Sequence, residues 1–261
     1  MIGATIVAWS GPLQSGSFRL GRMSIEHAGF SIRGSKRPTN DDRLYVSEKF
    51  GLIAIADGIG GSTTGGQAAQ DCVDLMREYL ANVGPIANRV EVLRDAIVWT
   101  NGRMFARSWT PGRVERNQGG CCFAGVLLDE HESEFTTFHV GDSAVYEQTR
   151  QGWRKLTADH MESVARPTPA GGRSRKPRIT RAMGVAPAPK VDFATFPMTP
   201  GRRLLITSDG CDLKFLSDVG VPAPSPDAGR SLEESARDLA TAVTCGPMLD
   251  DSSAIMFQAD N

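Results

Sequence analysis

The order of apolar and amphipathic segments in this 261-residue chain predicts an α+β layered fold with antiparallel sheets. Strand-like segments come in runs, with two helical segments between the runs and one before the last strand. They do not alternate singly with helices, which disfavours a parallel doubly wound sheet. Hydrophobic residues make up 40% and charged residues 23%, the balance of a globular chain with a real core, so one domain is expected.

Residues 24–33 (SIEHAGFSIR) have strand content, followed by the loop GSKRPTNDDR. LYVSEKFGLIAIA reads as two strands turning near Lys49-Phe50-Gly51. From Ala68 to Leu80, apolar residues recur at Ala68, Cys72, Leu75/Met76 and Tyr79, which is helical spacing. A second helix fits Val90 to Phe105, with Leu93, Ile97, Thr100 and Met104 on one face. After a Gly- and Arg-rich loop, residues 119–157 give three or four strands with turns at 129–133, 141–142 and 150–152. The Pro-, Gly- and Arg-rich residues 160–178 read as a loop. Strands then fit VDFATFPM and RRLLITS, a helix Leu232 to Val243, and a last strand SSAIMFQ. Residues 1–22 lack a basic leading region and a long apolar stretch, so they make a poor signal peptide. They are expected to be a loose tail, or an extension upstream of a domain running from Met23 to Asn261.

The net charge of −1 argues against nucleic acid as a partner. No apolar run reaches the ~18 residues of a membrane helix, so no membrane association is expected. The five cysteines are odd in number and lack CxxC spacing, which disfavours a disulfide framework or zinc ribbon and points to a cytoplasmic setting.

The run IAIADGIGG raises the question of why a buried strand should end on a carboxylate among glycines. Asp57 there could serve a metal, a phosphate or only a turn. It has company: Asp209 ends the strand LLITS, Asp142 follows FHVG, Asp250-Asp251 precede SSAIMF, and Asn40-Asp41-Asp42 precede LYV. Each alone is an ordinary turn or cap residue. Brought to one rim they would repel, and burial would raise the cost unless cations neutralised them. An oxygen-only ligand set suits hard ions such as Mg²⁺ or Mn²⁺, and the lack of Cys/His spacing argues against zinc.

With these residues in view, the chain resembles the metal-dependent type 2C Ser/Thr protein phosphatases from about Met23 to Gln258. RPTNDD (37–42), DGIGG (57–61), GDS (141–143), LTADH (156–160), ITRAMG (179–184), SDG (208–210) and DDSS (250–253) resemble that family's motifs, in its order. The resemblance implies a four-layer αββα sandwich, two central antiparallel β-sheets flanked by helical pairs. It implies two Mn²⁺ or Mg²⁺ ions, bridged by Asp57, with Asp209, Asp250 and the Gly58 carbonyl as further ligands. Asp42 would reach the metals through water. Asp142, with Asp209, would hold a third ion, and Arg37 would grip the substrate phosphate. Residues 166–178, carrying Arg166, Arg173, Arg175, Lys176 and Arg178, would correspond to the flap beside the active site.

The implied chemistry is hydrolysis of phosphorylated Ser/Thr proteins, opposing a Ser/Thr protein kinase, by a monomeric enzyme. Two metals can acidify a bridging water for in-line attack on phosphorus, with no covalent nucleophile, and the arginine fork suits phosphate oxygens. Several positions depart from the family pattern. Ile59 and Ser62 stand where relatives carry histidine, Gly66 where an acidic residue is usual, and Ala144 where arginine is common. His160 reads equally as structural or catalytic; Cys121 and Cys122 read as core. Two alternatives stay open: a silent binding module of the same fold, and an unrelated Mg²⁺-dependent phosphohydrolase or nuclease.

Overall fold

Leu52, Ala54 and Ala56 face one way and Ile53 and Ile55 the other, yet all five are fully buried. Their strand is therefore covered on both faces, and this sets the layering. In the computed structural model, which describes residues 11–59, 64–84, 88–107, 119–129, 133–167, 173–218 and 229–260, two antiparallel sheets lie face to face. The first sheet runs β1 (Gln14–Leu20), β2 (Met23–Ile32), β13 (Ser252–Asp260), β12 (Arg202–Thr207), β7 (Ala144–Thr149), β8 (Gly152–Lys155). The second runs β11 (Asp192–Pro197), β6 (Glu134–Val140), β5 (Gly120–Asp129), β4 (Leu52–Ile59), β3 (Asp42–Ser47).

Three apolar layers hold the stack together. Ile25, Ile53, Ile55, Val126, Phe135, Leu204, Ile255 and Phe257 fill the space between the sheets. The helices α1 (Thr64–Ala81) and α2 (Arg89–Arg107) cover the second sheet through Ala69, Met76, Leu93 and Ile97 against Leu52, Ala54 and Phe123. On the other side α3 (Leu213–Asp218) and α4 (Leu232–Cys245) place Leu216, Leu239 and Val243 over Phe30, Leu205 and Met256. The four-layer αββα sandwich is thus the observed fold. A capping box at Ser231 and Glu234 starts α4.

Three segments differ from the sequence reading. Gln14–Leu20 pairs with β2 along its whole length and buries Phe18 and Leu20, so of the two alternatives for residues 1–22, residues 14–20 fit the upstream extension, as part of the sheet, and not the loose tail. The expected boundary near Met23 falls inside this hairpin. The stretch read as a loop over 160–178 forms a ribbon of β9 (Met161–Pro167) and β10 (Arg173–Ile179). Its register sets Arg178 opposite Glu162, and the two form an ion pair. A ribbon needs no apolar alternation, and a two-stranded one can carry Pro177 because each strand has a free edge. The third is the six-residue α3, too short to show a helical period.

Candidate metal centre

Strand pairing assembles the site. Asp42 at the start of β3 lies directly opposite Asp57 in β4, and Asp57 lies opposite Cys122 in β5. Like charges directly opposite across strands destabilise a sheet, so this pair calls for a proton or a cation between the two carboxyls. Asp142 follows β6, Asp209 follows β12, and Asp250 and Asp251 precede β13. Asp42 and Asp142 are buried, whereas Asp57, Asp209 and Asp250 are partly open to solvent.

The electrostatics show mutual strain. Burial, then the charges of Asp42, Asp209, Asp142 and Asp250, push the Asp57 carboxyl well above the usual carboxylate range. Asp42 is raised to about 7, chiefly by burial, although the Ser253 and Ser208 hydroxyls oppose the shift. Asp209 is raised to about 8 by burial and then by Asp142, Asp250 and Asp42. Burial also raises Asp142, against the pull of the Cys122 thiol.

These residues fit a metal centre. Among the described residues Asp42 Oδ2 is buried with no hydrogen-bond partner, and the carboxylates around it offer oxygen ligands. Gly58 packs so closely on α1 that an added Cβ would lie 2.3 Å from the Gly65 carbonyl carbon. Close backbone approach of this kind keeps side chains out of the rim.

Arg37 is not free. Its Nε donates to Asp250 Oδ1 at 2.8 Å and its Nη2 to Asp250 Oδ2 at 2.7 Å, a bidentate pair. The expected phosphate-binding arginine therefore touches an expected metal ligand. Asn40 holds the loop behind it, donating to Ser31 Oγ at 2.7 Å and accepting from the Asp42 amide at 3.0 Å.

Asp251, noted in the sequence beside Asp250 but given no role there, has a structural one. Its Oδ1 accepts from the Gly34 amide and its Oδ2 from the Asp41 amide, both at 2.8 Å. It thereby ties the loop carrying Arg37 to the start of β13. Asp251 directly follows Asp250, and that doubling was the available signal. The departure at Gly66 also has a physical account: an added Cβ there would lie 2.5 Å from Asp41 Oδ1, so the buried Asp41 carboxylate already fills that space. Ala144 is fully buried under α3 and α4. His139 lies in β6 and His27 in β2, whereas Gly60, Gly61, Ser62 and His131 fall outside the described residues. In the basic ribbon, Arg178 is paired with Glu162, and Arg175 Nε donates to Ser163 Oγ at 3.0 Å, so part of its charge is satisfied internally.

Comparison with known proteins bears on the fold and the family. The family model described as protein phosphatase 2C matches residues 29–243. The serine/threonine phosphatase stp of Listeria innocua is 27% identical over 198 residues, covering 70% of this chain and 77% of that protein. Among solved structures, PppA, a regulatory component of the type VI secretion system of Pseudomonas aeruginosa, superposes with a TM-score of 0.69 at 21% identity, covering 94% of this chain and all of that one. The catalytic domain of the serine/threonine phosphatase PstP, solved with two manganese ions, gives 0.67 at 22% identity, covering 92% and 100%.

Proposed function

The chain belongs to the protein phosphatase 2C family, and from that premise we propose that it is a metal-dependent protein-serine/threonine phosphatase acting on phosphoserine and phosphothreonine in proteins. The observation that carries this reading is the rim where Asp42, Asp57, Asp142 and Asp209 gather, their proton affinities raised by burial and, for Asp42, Asp57 and Asp209, also by one another and by the nearby Asp250 charge. Asp57, Asp209, Asp250 and the Gly58 carbonyl would hold a pair of Mn²⁺ or Mg²⁺ ions, Asp42 would support them from behind, and Asp142 would hold a third, weaker ion with Asp209. When bound, such ions supply an acidified water for in-line attack on phosphorus.

The chain's own residues do the rest. The carboxylates fix the positions of charge before substrate arrives, so little reorganisation is needed as charge develops. Arg37 would offer a planar fork to phosphate oxygens, and its bidentate pairing with Asp250 at the rim supports that role. The deciding experiment is hydrolysis of p-nitrophenyl phosphate and of phosphoserine and phosphothreonine peptides with Mn²⁺ or Mg²⁺. Activity should vanish in EDTA, and activity that survives EDTA overturns the metal reading. A silent module of the same fold would bind metal without turnover.

Arg37→Ala is expected to lower kcat/KM for phosphopeptides about ten- to a hundredfold, mainly through KM. The estimate takes a charge-assisted hydrogen bond as worth roughly 1.5–3 kcal/mol. Arg37→Lys should recover only part, because an ammonium cannot make the bidentate contact. Unchanged kcat/KM in Arg37→Ala removes this residue from the site.

A further inference from the structure

Between β6 and β7, the turn Gly141–Asp142 is gripped from two sides. On one side the Cys122 thiol donates to Asp142 Oδ1 at 3.0 Å, and both residues are buried. The fit is close: a Cβ on Gly141, whose φ is +106°, would lie 2.1 Å from Cys122 Sγ. On the other side the Gly141 amide donates to His160 Nδ1 at 3.1 Å, while the His160 amide donates back to the Gly141 carbonyl at 2.9 Å.

His160 is itself held. With Nδ1 accepting from Gly141, the other ring nitrogen, Nε2, faces Asp192 Oδ2 at 3.2 Å. Arg181 secures Asp192 by donating to its Oδ1 at 2.9 Å. The His139 ring stacks on His160 at 4.5 Å between centroids, and its Nε2 lies 2.7 Å from the Ala158 carbonyl. His139, His160 and Asp192 are near enough to one another to suggest a cation site of their own. The bonding speaks against it. One nitrogen of each ring is already engaged, the stacked rings do not converge on a point, and the Arg181 guanidinium lies 3.0 Å from His160 Nε2.

We propose that Cys122 and His160 are positioning residues: they clamp the Gly141–Asp142 turn from opposite sides and thereby aim the Asp142 carboxylate at the ion it would hold. This rests on the reading of Asp142 as a metal ligand given above. The thiol takes one oxygen, restricts rotation of the carboxylate and leaves the other oxygen for the ion. His160 fixes the backbone from which that carboxylate projects. Both side chains are buried and bond to the turn itself, so their route to the ion runs through Asp142. Hydrogen-bonding partners of metal ligands typically govern 10–100-fold of metal affinity.

Mn²⁺ titration calorimetry on the full chain, without substrate, tests this directly. The wild type should show a tight pair of sites and a weaker one, and Asp142→Ala should remove the weaker one. Cys122→Ala and His160→Leu should each weaken that site about 10–100-fold while the tight pair keeps its affinity. Cys122→Ser, which keeps a donor, and His160→Asn, which keeps an acceptor for the Gly141 amide, should restore it. Weaker-site affinity unchanged in Cys122→Ala and His160→Leu, but lost in Asp142→Ala, overturns the clamp and leaves the metal reading intact. Failure of Cys122→Ser and His160→Asn to restore the site, with early thermal melting, assigns both residues to packing and also overturns the clamp. No effect of Asp142→Ala on any site overturns the metal role of Asp142 itself, and the clamp with it.

Discussion

Replacing Asp57 by asparagine is expected to lower turnover of phosphopeptides by at least about 10²–10³-fold, the scale seen when one preorganised electrostatic group is lost, while making the metal-free protein more stable. Asp57 lies opposite Asp42 in the sheet register, and Asp209, Asp142 and Asp250 add to the repulsion on it. Asparagine keeps the shape and removes the charge, so the folded state no longer has to confine that carboxylate among the others. Each kcal/mol recovered should raise the melting temperature by roughly 2–4 °C in a chain of this size. The Mn²⁺-induced rise in melting temperature should shrink at the same time. Such a trade of stability for function marks a working site, whereas a purely structural aspartate would lose both on substitution. Thermal melts in EDTA and in Mn²⁺, with a phosphopeptide assay, give all three readings. Near-normal turnover, or a lower melting temperature in EDTA, would remove Asp57 from the centre.

How legible these features were in the sequence depended on how each is stabilised. Ile53, Ile55, Leu52 and Ala54 announced a strand because burial on both faces demands an unbroken apolar run. The helices over Ala68–Leu80 and Val90–Phe105 showed because one face of each is buried, and the structure lengthens them only at their ends. β1 was hidden because Gln14–Ser17 are exposed and only Phe18 and Leu20 reach the core, too few to register as an alternating pattern. The β9–β10 ribbon was hidden for a related reason: backbone ladders and the Glu162–Arg178 pair hold it, and neither leaves an apolar period. The carboxylates were each visible as strand ends, since a charge after a buried strand needs an explanation. Their contacts were not visible. Arg37 and Asp250 stand 213 positions apart and meet only because β2 and β13 pair. Cys122 looked like core, and it is buried, but strand register sets it beside Asp57 and within reach of Asp142.

The same carboxylates predict that metal-free and Mn²⁺-bound protein respond differently to pH. Asp42 and Asp209 sit at about 7 and about 8 in the folded state, and Asp57 is also raised, against an ordinary value of 3.8. Between the unfolded and folded values, the folded chain keeps protons that the unfolded chain has released, so stability falls as pH rises. The favourable contribution is therefore complete below about pH 4 and is lost progressively through pH 7–8. In EDTA the melting temperature should decline across pH 5 to 8. Mn²⁺ requires the ionised carboxylates, so its binding releases protons and strengthens over the same range. At a free concentration a hundredfold above Kd, binding stabilises the fold by about 2.7 kcal/mol, which is roughly 5–10 °C at the sensitivity given above. The gap between the Mn²⁺ and EDTA melting curves should thus open from near nothing at pH 5 to that size at pH 8. Asp57→Asn should flatten both trends, because it removes one of the titrating groups and eases the pressure on Asp42 and Asp209. A gap that is constant with pH, or that closes as pH rises, would mean that cations do not compensate this rim, and the carboxylates would need another role.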